Sequence, residues 1–182
     1  MPNNIETEIR SFLSKEQYDR LLDFFKQNAK LLKEDNQETF YFDCAQDLRI
    51  QKNDFFAKIW MKGGQIHDAH REEIELRFDR ADFEKAEQLF LALGYQVKIK
   101  WFRKRFEFDW NGTTVCLDFT RGYGYIIELE KMCSEADKEK EYAALEQKLR
   151  SLNVDVTPRE EFDRKFLDYK ANWRQLTKTP AI

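Results

Sequence analysis

The sequence lacks the features that place a protein in a membrane or on nucleic acid. Its longest apolar stretches, such as residues 90–93, are far too short to span a bilayer. Lysine and arginine number 31 against 34 aspartate and glutamate residues, which gives a net charge of -3, and the basic residues form no run. We therefore expect no membrane association and no nucleic-acid partner, and any site for an anion must be local.

Cysteine and histidine are scarce, and their spacing argues against a site for a soft metal. The two histidines, His67 and His70, have no further obvious ligands nearby. The cysteines are odd in number and have no Cys-x-x-Cys spacing, so we expect reduced, structural thiols at Cys44, Cys116 and Cys133. The first residues also lack the basic and then apolar pattern of a signal peptide. These absences predict a cytoplasmic protein.

What the chain has instead is charge that alternates with apolar residues, most informatively in the segments 5–10 and 126–131. Successive side chains of a strand point to opposite faces, so Glu6 and Glu8 share a face about 6.6 Å apart, and Glu128 and Glu130 do the same. Carboxylates crowded in this way repel one another unless they face solvent or bind cations. Hard divalent ions such as Mg²⁺ or Mn²⁺ are the natural partners of oxygen ligands.

Basic residues follow the same alternation on other strand candidates. Each of three such strands has one charged face. That face carries Arg49 on the first strand, Lys58 and Lys62 on the second, and Arg103 and Arg105 on the third. In a closed barrel that is covered outside by helices, the apolar faces would pack on the helices and the charged faces would line the lumen. We therefore predict an α+β fold with a closed eight-stranded antiparallel β-barrel, a charged lumen and helices packed outside. A lumen of mixed charge implies a ligand.

Periodicity and turn signals give the order of the elements in a single domain over residues 1–182. Strands are predicted near 5–12, 38–44, 47–52, 55–62, 71–78, 97–109, 112–120 and 124–131. A capping-box pattern at Ser14 begins a first helix whose apolar spacing continues to Leu32, and a second helix covers about 82–93. Asn111-Gly112 is a strong hairpin signal. Two final helices are predicted at about 135–152 and 158–175.

Short motifs follow one another along the chain in a characteristic order. They are Glu-x-Glu-x-Arg at 6–10, Gln-Glu-Thr-Phe-Tyr-Phe at 37–42, Leu-Arg-Ile at 48–50, Arg-Glu-Glu-Ile-Glu at 71–75, Arg-Lys-Arg at 103–105 and Gly-Tyr-Ile-Ile-Glu-Leu-Glu at 124–130. In this order they resemble the CYTH superfamily, also called triphosphate tunnel metalloenzymes. That family includes class IV adenylyl cyclases, thiamine triphosphatases, inorganic tripolyphosphatases and fungal-type RNA triphosphatases. The resemblance implies an eight-stranded tunnel that binds a triphosphate with a divalent metal, Mg²⁺ or Mn²⁺.

The resemblance also implies roles for individual residues. It makes Glu6, Glu8 and Glu130 ligands of a first metal. It places Asp118 and Glu128 near a second metal or the attacking water. It assigns phosphate oxygens to Arg10, Arg49, Lys58, Lys62, Arg103 and Arg105. Arginine forks suit this role because they bind anionic oxygens in pairs, while a metal neutralises the charge that develops during transfer.

Two positions depart from the family pattern. Arg10 stands where the family has lysine, which keeps the charge but not the titratable ammonium and puts a role in activating water in doubt. Gln51 stands where the family has a second base after the strand arginine. One phosphate contact is therefore weaker, or has moved to Lys52 or Lys58.

The first expectation for function is hydrolysis of tripolyphosphate or a small organic triphosphate, such as thiamine triphosphate or a nucleoside triphosphate. Asp118, Glu128 and Arg10 would be the catalytic residues. The enzyme alternative is a class IV adenylyl cyclase, in which the ribose 3′-hydroxyl of ATP attacks the α-phosphate and pyrophosphate leaves. A third alternative is a non-catalytic module that binds a nucleotide or polyphosphate, and the chain would be a monomer or a homodimer.

Overall fold

A computed structural model describes residues 4–62 and 73–178, which form eight strands and four α-helices. In chain order these are β1 (Asn4–Leu13), α1 (Lys15–Asn28), β2 (Lys30–Phe42), β3 (Asp47–Lys52), β4 (Ala57–Lys62), β5 (Glu73–Phe78), α2 (Phe83–Ala92), β6 (Val97–Asp109), β7 (Thr114–Thr120), β8 (Gly124–Ser134), α3 (Lys138–Ser151) and α4 (Arg159–Leu176). None of the helices in these ranges combines the length and the apolar composition needed to cross a membrane.

The strands form one sheet in the order β1-β8-β7-β6-β2-β3-β4-β5. Antiparallel pairing joins β1 to β8, β8 to β7, β2 to β3, β3 to β4 and β4 to β5. Within the described ranges no hydrogen bonds join β1 to β5, so both are edge strands of this sheet. The eight strands and the flanking helices that the sequence predicts are present, whereas closure of the barrel stays a prediction.

The chain divides into two units, and the first contains the described residues 4–34 and 104–168. Its core is built from one face of β1, β7 and β8, where Ile9, Leu117 and Leu129 are buried. Helices α1 and α3 supply the covering layer through buried residues such as Phe25 and Leu145. The opposite faces of the same strands are therefore left for charged residues, as the alternation predicts.

The second unit contains the described residues 35–62, 73–103 and 169–178. Its core includes Phe40 of β2, Ile50 of β3 and Phe83, the first residue of α2. The beginning of α2 therefore packs on these two strands. The end of α4 is fixed to β6 by two hydrogen bonds. The Tyr169 hydroxyl donates to the carbonyl of Lys100 at 2.7 Å, and the Trp173 indole donates to the carbonyl of Lys98 at 2.8 Å.

Two local predictions are confirmed in detail. The Ser14 side chain accepts from the backbone of Gln17, whose side chain accepts in return from the backbone of Ser14, which forms the capping box of α1. Asn111 and Gly112 have φ angles of 53° and 71°, and both backbone hydrogen bonds between Trp110 and Thr113 are present. Positive φ at both central residues is the signature of the type I′ turn that twists with its strands.

The boundary between α1 and β2 differs from the prediction. The helix ends at Asn28 rather than near Leu32, because Ala29 is already extended with φ -139° and ψ 159°. Leu31 and Leu32 are each 47% exposed, so they do not belong to the buried face of the helix. β2 begins at Lys30 rather than 38, because pairing within a sheet overrides the helical spacing of a few leucines.

Candidate functional site

The acidic side chains of β1 and β8 lie on one face of the first unit. In the antiparallel register Glu8 is opposite Glu130, and Arg10 is opposite Glu128. Residues directly opposite one another point to the same face, so these four side chains share the face that turns away from Ile9 and Leu129. The predicted grouping of the glutamates on one face is confirmed for this unit.

Glu6, which shares this face because it precedes Glu8 by two residues, is close enough to Glu8 and Glu130 to share one cation with them. Each of Glu6, Glu8 and Glu130 offers a carboxylate oxygen, and these oxygens all lie within 4.8 Å of one another. A donor set made only of carboxylate oxygens suits a hard divalent cation rather than a soft one. The predicted ligands of the first metal are therefore together, and their chemistry fits that ion.

The electrostatics of this cluster favour a cation. Burial, followed by repulsion from Glu128 and Glu6, raises the pKa of Glu130 to about 8. Burial and then Glu128 also raise the pKa of Glu8 above its ordinary value. Carboxylates that resist ionisation in this way are stabilised when a positive charge arrives.

The raised pKa of Glu130 predicts that metal-free protein loses stability as the pH rises. An unfolded chain releases this proton near pH 4.5, whereas the folded chain keeps it until about pH 8. The stabilisation is therefore complete below pH 4.5 and is lost as the pH rises to 8. We expect Glu130→Gln, which stays neutral, to melt several degrees above wild type at pH 8.5 in chelator, with little difference at pH 5. A variant that melts below wild type at pH 8.5 would contradict the assignment.

Arg105 is the centre of a buried charge network in the first unit. Its Nε and Nη2 donate to the two oxygens of Asp118 at 2.8 and 2.7 Å, and Nη2 also donates to Glu128 at 2.6 Å. Asp118 is only 2% exposed. Burial alone would lower the pKa of Arg105, but Glu128 and Asp118 outweigh it and raise that pKa well above the usual range. The side chain predicted to bind phosphate thus holds two carboxylates in this structure.

Cys116 lies beside these glutamates, which the sequence analysis did not predict. This residue is opposite Glu128 in the β7–β8 register and is 1% exposed. Its sulfur and the oxygens of Glu128 and Glu130 all lie within 4.8 Å of one another. Burial, with only partial compensation from Arg105, raises the pKa of the thiol. Since Cys116 precedes Asp118 by two residues, alternation already placed both on one face. Asp118 itself is in neither of the two groups of possible metal ligands found among residues 4–62 and 73–178.

Arg10 lies beside a pair of stacked aromatic side chains, one of which, Phe162, belongs to helix α4. Its guanidinium is 4.6 Å from the centre of the Phe162 ring, which stacks on Phe12 at 4.2 Å. The Lys165 ammonium lies 4.1 Å from the Phe12 ring centre. It also lies next to Gly124, where the Cβ of any other residue would be 3.3 Å from the ammonium nitrogen. Burial lowers the pKa of Lys165. Lys165 is a second basic residue at this end of β1, and its position far along the sequence gave no signal of it.

In the second unit, Arg49 and Lys58 lie on one face with an acidic partner each. Arg49 donates to both oxygens of Asp47 at 2.6 and 2.5 Å, and its guanidinium is 4.3 Å from the centre of the Tyr41 ring. Lys58 donates to Glu75 at 2.7 Å. Both predicted phosphate ligands are therefore held in place by carboxylates, and an arriving anion must compete with those contacts.

The register settles which lysine is next to Gln51. Gln51 is opposite Lys58, so the two share a face, whereas Lys52 points to the other side. Lys52 pairs there with Glu38 at 3.1 Å and Glu84 at 2.8 Å. Lys52 therefore points away from the charged face, and Lys58 is the lysine that shares this face with Gln51. A phosphate contact of Lys58 in place of the missing base stays a prediction.

Arg103 is positioned by a neutral side chain. Its Nε and Nη2 both donate to the Gln37 amide oxygen, at 2.9 and 2.5 Å. The Gln37 amide nitrogen donates in turn to the buried carboxylate of Asp35 at 3.0 Å. This chain of contacts fixes the orientation of the guanidinium. The side chain of Lys62, and the residues His67 and His70, lie outside the described part of the chain.

A family model described as the CYTH domain matches residues 4–160. The chain belongs to the CYTH family. The resemblance drawn from the motifs is therefore confirmed. No curated protein matches the sequence. CYTH proteins are in general metal-dependent, in agreement with the acidic groups that could hold a metal here.

Several solved structures share the fold of this chain. PH1819 from Pyrococcus horikoshii OT3 is 23% identical with a TM-score of 0.69, covering 90% of this chain and 98% of that one. PH1012 from the same organism is 26% identical with a TM-score of 0.64, covering 85% and 96%. The Hippeastrum protein HpAC1 is 19% identical with a TM-score of 0.64, covering 97% and 98%. HpAC1 is described as a candidate adenylyl cyclase with a dominant triphosphatase activity.

Proposed function

We propose that this CYTH protein is a metal-dependent hydrolase of tripolyphosphate or of a small organic triphosphate. The observation that carries the proposal is the cluster of Glu6, Glu8 and Glu130, whose oxygens converge within 4.8 Å. A bound Mg²⁺ or Mn²⁺ would neutralise charge on the phosphate oxygens. The triphosphatase activity described for HpAC1 supports hydrolysis as the reaction. The closed barrel belongs to the same proposal, since a lumen would surround the triphosphate.

The chain's own residues would perform distinct parts of the reaction. Water attacks the terminal phosphorus, the bridging P–O bond breaks, and orthophosphate leaves together with a diphosphate. Glu128 is the candidate acceptor of the water's proton, because Arg105 fixes its carboxylate on the charged face at 2.6 Å. Asp118 acts as a positioning residue, because its two oxygens hold that arginine.

Phosphate oxygens would be bound by the basic side chains that the sequence predicts for this role, which are Arg10, Arg49, Lys58, Lys62, Arg103 and Arg105. Arg10 carries the charge without a titratable ammonium, so we assign it to binding rather than to activating water. Lys165 joins the set, because its half-buried ammonium makes cation–π contacts and no ion pair within the described residues. A triphosphate is a partner with enough negative charge for several such contacts.

The test is a panel of tripolyphosphate, thiamine triphosphate, ATP and GTP with Mg²⁺ or Mn²⁺, in which orthophosphate, pyrophosphate and cyclic nucleotide are measured separately. We expect orthophosphate from at least one substrate and none without metal. Cyclic AMP with stoichiometric pyrophosphate from ATP would identify a class IV adenylyl cyclase instead. Tight binding of a substrate with no product would identify a binding module. Either of these outcomes would overturn the proposal.

Ligand should stabilise the fold, because the repulsion within the carboxylate cluster and among the bases is relieved by metal and triphosphate. A ligand that binds only the folded state at a hundredfold excess over Kd adds about 2.7 kcal/mol, which corresponds to several degrees in Tm for a chain of this length. We expect this shift from tripolyphosphate with Ca²⁺, chosen to limit turnover, and a far smaller one from orthophosphate. An unchanged Tm at millimolar tripolyphosphate would contradict the prediction.

Arg103 should contribute to anion binding much more than its neighbour in sequence. Arg103→Ala removes charge-assisted hydrogen bonds and should weaken triphosphate binding by about 1.5–3 kcal/mol, or roughly tenfold to a hundredfold. Lys104 is the matched control, because it points to the opposite face and pairs with Glu34 at 2.8 Å. Calorimetric titration of both alanine variants measures the difference, and equal losses would mean that the wrong face of β6 had been assigned.

A further inference from the structure

Cys116 is an unexpected side chain on the charged face of the first unit. It lies in β7 directly opposite Glu128, while Thr114 is opposite Glu130. The strand alternation turns its neighbours Val115 and Leu117 into the apolar core. The thiol therefore points toward the glutamates and not toward the core, although it is only 1% exposed.

The thiol has the position of a ligand. Its sulfur and one oxygen each of Glu128 and Glu130 all lie within 4.8 Å of one another. The sulfur makes no hydrogen bond to any atom in the ranges 4–62 and 73–178, in contrast to Cys44, whose thiol donates to the carbonyl of Gln46 at 3.1 Å. A buried donor with no partner, aimed at two carboxylates, is an arrangement that a metal ion would complete.

This donor set differs in kind from the all-oxygen cluster of Glu6, Glu8 and Glu130. Sulfur favours borderline and soft cations, and Zn²⁺ accepts mixed sulfur and oxygen ligands at about 2.3 Å and 2.0–2.2 Å.

We propose that Cys116, Glu128 and Glu130 form a site for a thiophilic divalent cation such as Zn²⁺. When the sulfur–metal bond forms, the thiol proton is released to solvent. Glu130 belongs to both clusters, so occupation of the thiol site withdraws a ligand from the hard-cation site. Zn²⁺ is then an antagonist of Mg²⁺ at this protein, and this site exists whether or not the chain hydrolyses triphosphates.

Cd²⁺ is the probe for the test, because cadmium bound to a thiolate gives a charge-transfer absorption band in the ultraviolet. The full chain carrying Cys44→Ser and Cys133→Ser leaves Cys116 as its sole cysteine. Titration with Cd²⁺ should produce a band that saturates at one ion per chain. Adding Cys116→Ser should abolish the band, and Glu128→Gln should weaken Cd²⁺ binding at least tenfold.

Glu6→Gln is the matched control, because Glu6 belongs to the hard-cation cluster and not to the thiol cluster. It should change Cd²⁺ binding far less than Glu128→Gln does. If the double-cysteine background does not fold, the difference between wild type and Cys116→Ala gives the same readout. Absence of a band, an equal band in wild type and the Cys116 variant, or a loss in Glu6→Gln as large as in Glu128→Gln would overturn the proposal.

Discussion

Glu8→Gln is expected to reduce triphosphate hydrolysis by roughly a hundredfold or more while the fold is retained. The substitution keeps the shape of the side chain but removes one of three carboxylates whose oxygens converge within 4.8 Å. A catalytic metal stabilises the transition state by several kcal/mol, and each 1.4 kcal/mol is a factor of about ten in rate. Orthophosphate release at fixed Mg²⁺ measures the loss, and higher Mg²⁺ should restore part of the activity.

Glu139→Gln is the matched control for this prediction. Glu139 is exposed on α3, outside the clusters found among the described residues, so the same chemical change there should leave the rate unaltered. Full activity of Glu8→Gln at limiting metal would show that the carboxylate cluster is not the metal site of this protein.

Arg105→Ala is expected to cause the largest loss of stability of any substitution in the site. It leaves Asp118, which is 2% exposed, without the guanidinium that now contacts both of its oxygens. Removal of one partner from a buried ion pair costs about 3–5 kcal/mol. For a chain of this length that corresponds to a fall of roughly 10 °C in Tm, which differential scanning calorimetry would measure.

Two further variants separate this effect from a general loss of charge. Arg150→Ala removes an arginine from an exposed pair with Glu146 on α3 and should change the melting temperature little. Neutralising the buried partner as well, in Arg105→Ala with Asp118→Asn, should recover part of the lost stability. A single Arg105→Ala variant that melts like wild type would contradict the network.

The sequence predicted the faces of the strands correctly because alternation is a property of the backbone itself. It placed Glu6 with Glu8 and Glu128 with Glu130, and the β1–β8 register brings the two pairs to one face. The hairpin at Asn111-Gly112 could also be predicted from the sequence, because few residue pairs adopt positive φ at both positions. These features depend on local geometry, which the order of residues specifies.

The sequence could not predict which residue each charged side chain contacts, because that depends on which strands become neighbours in the sheet. Arg105 was expected to bind phosphate, yet the register brings Asp118 and Glu128 within hydrogen-bond distance of it. Arg49 is likewise held by Asp47. The start of β2 was missed for the same reason, since pairing in the sheet outweighs a local helical pattern. The metal, phosphate and catalytic roles given to the individual residues stay predictions.

The most direct test of the account is to measure Mn²⁺ binding by electron paramagnetic resonance, in which the signal of free Mn²⁺ disappears on binding. Wild type and Glu139→Gln should bind Mn²⁺ alike, and more tightly when tripolyphosphate is added. Glu8→Gln should bind it at least tenfold more weakly under both conditions. Equal Mn²⁺ binding by wild type and Glu8→Gln would contradict the claim that Glu6, Glu8 and Glu130 hold the catalytic ion.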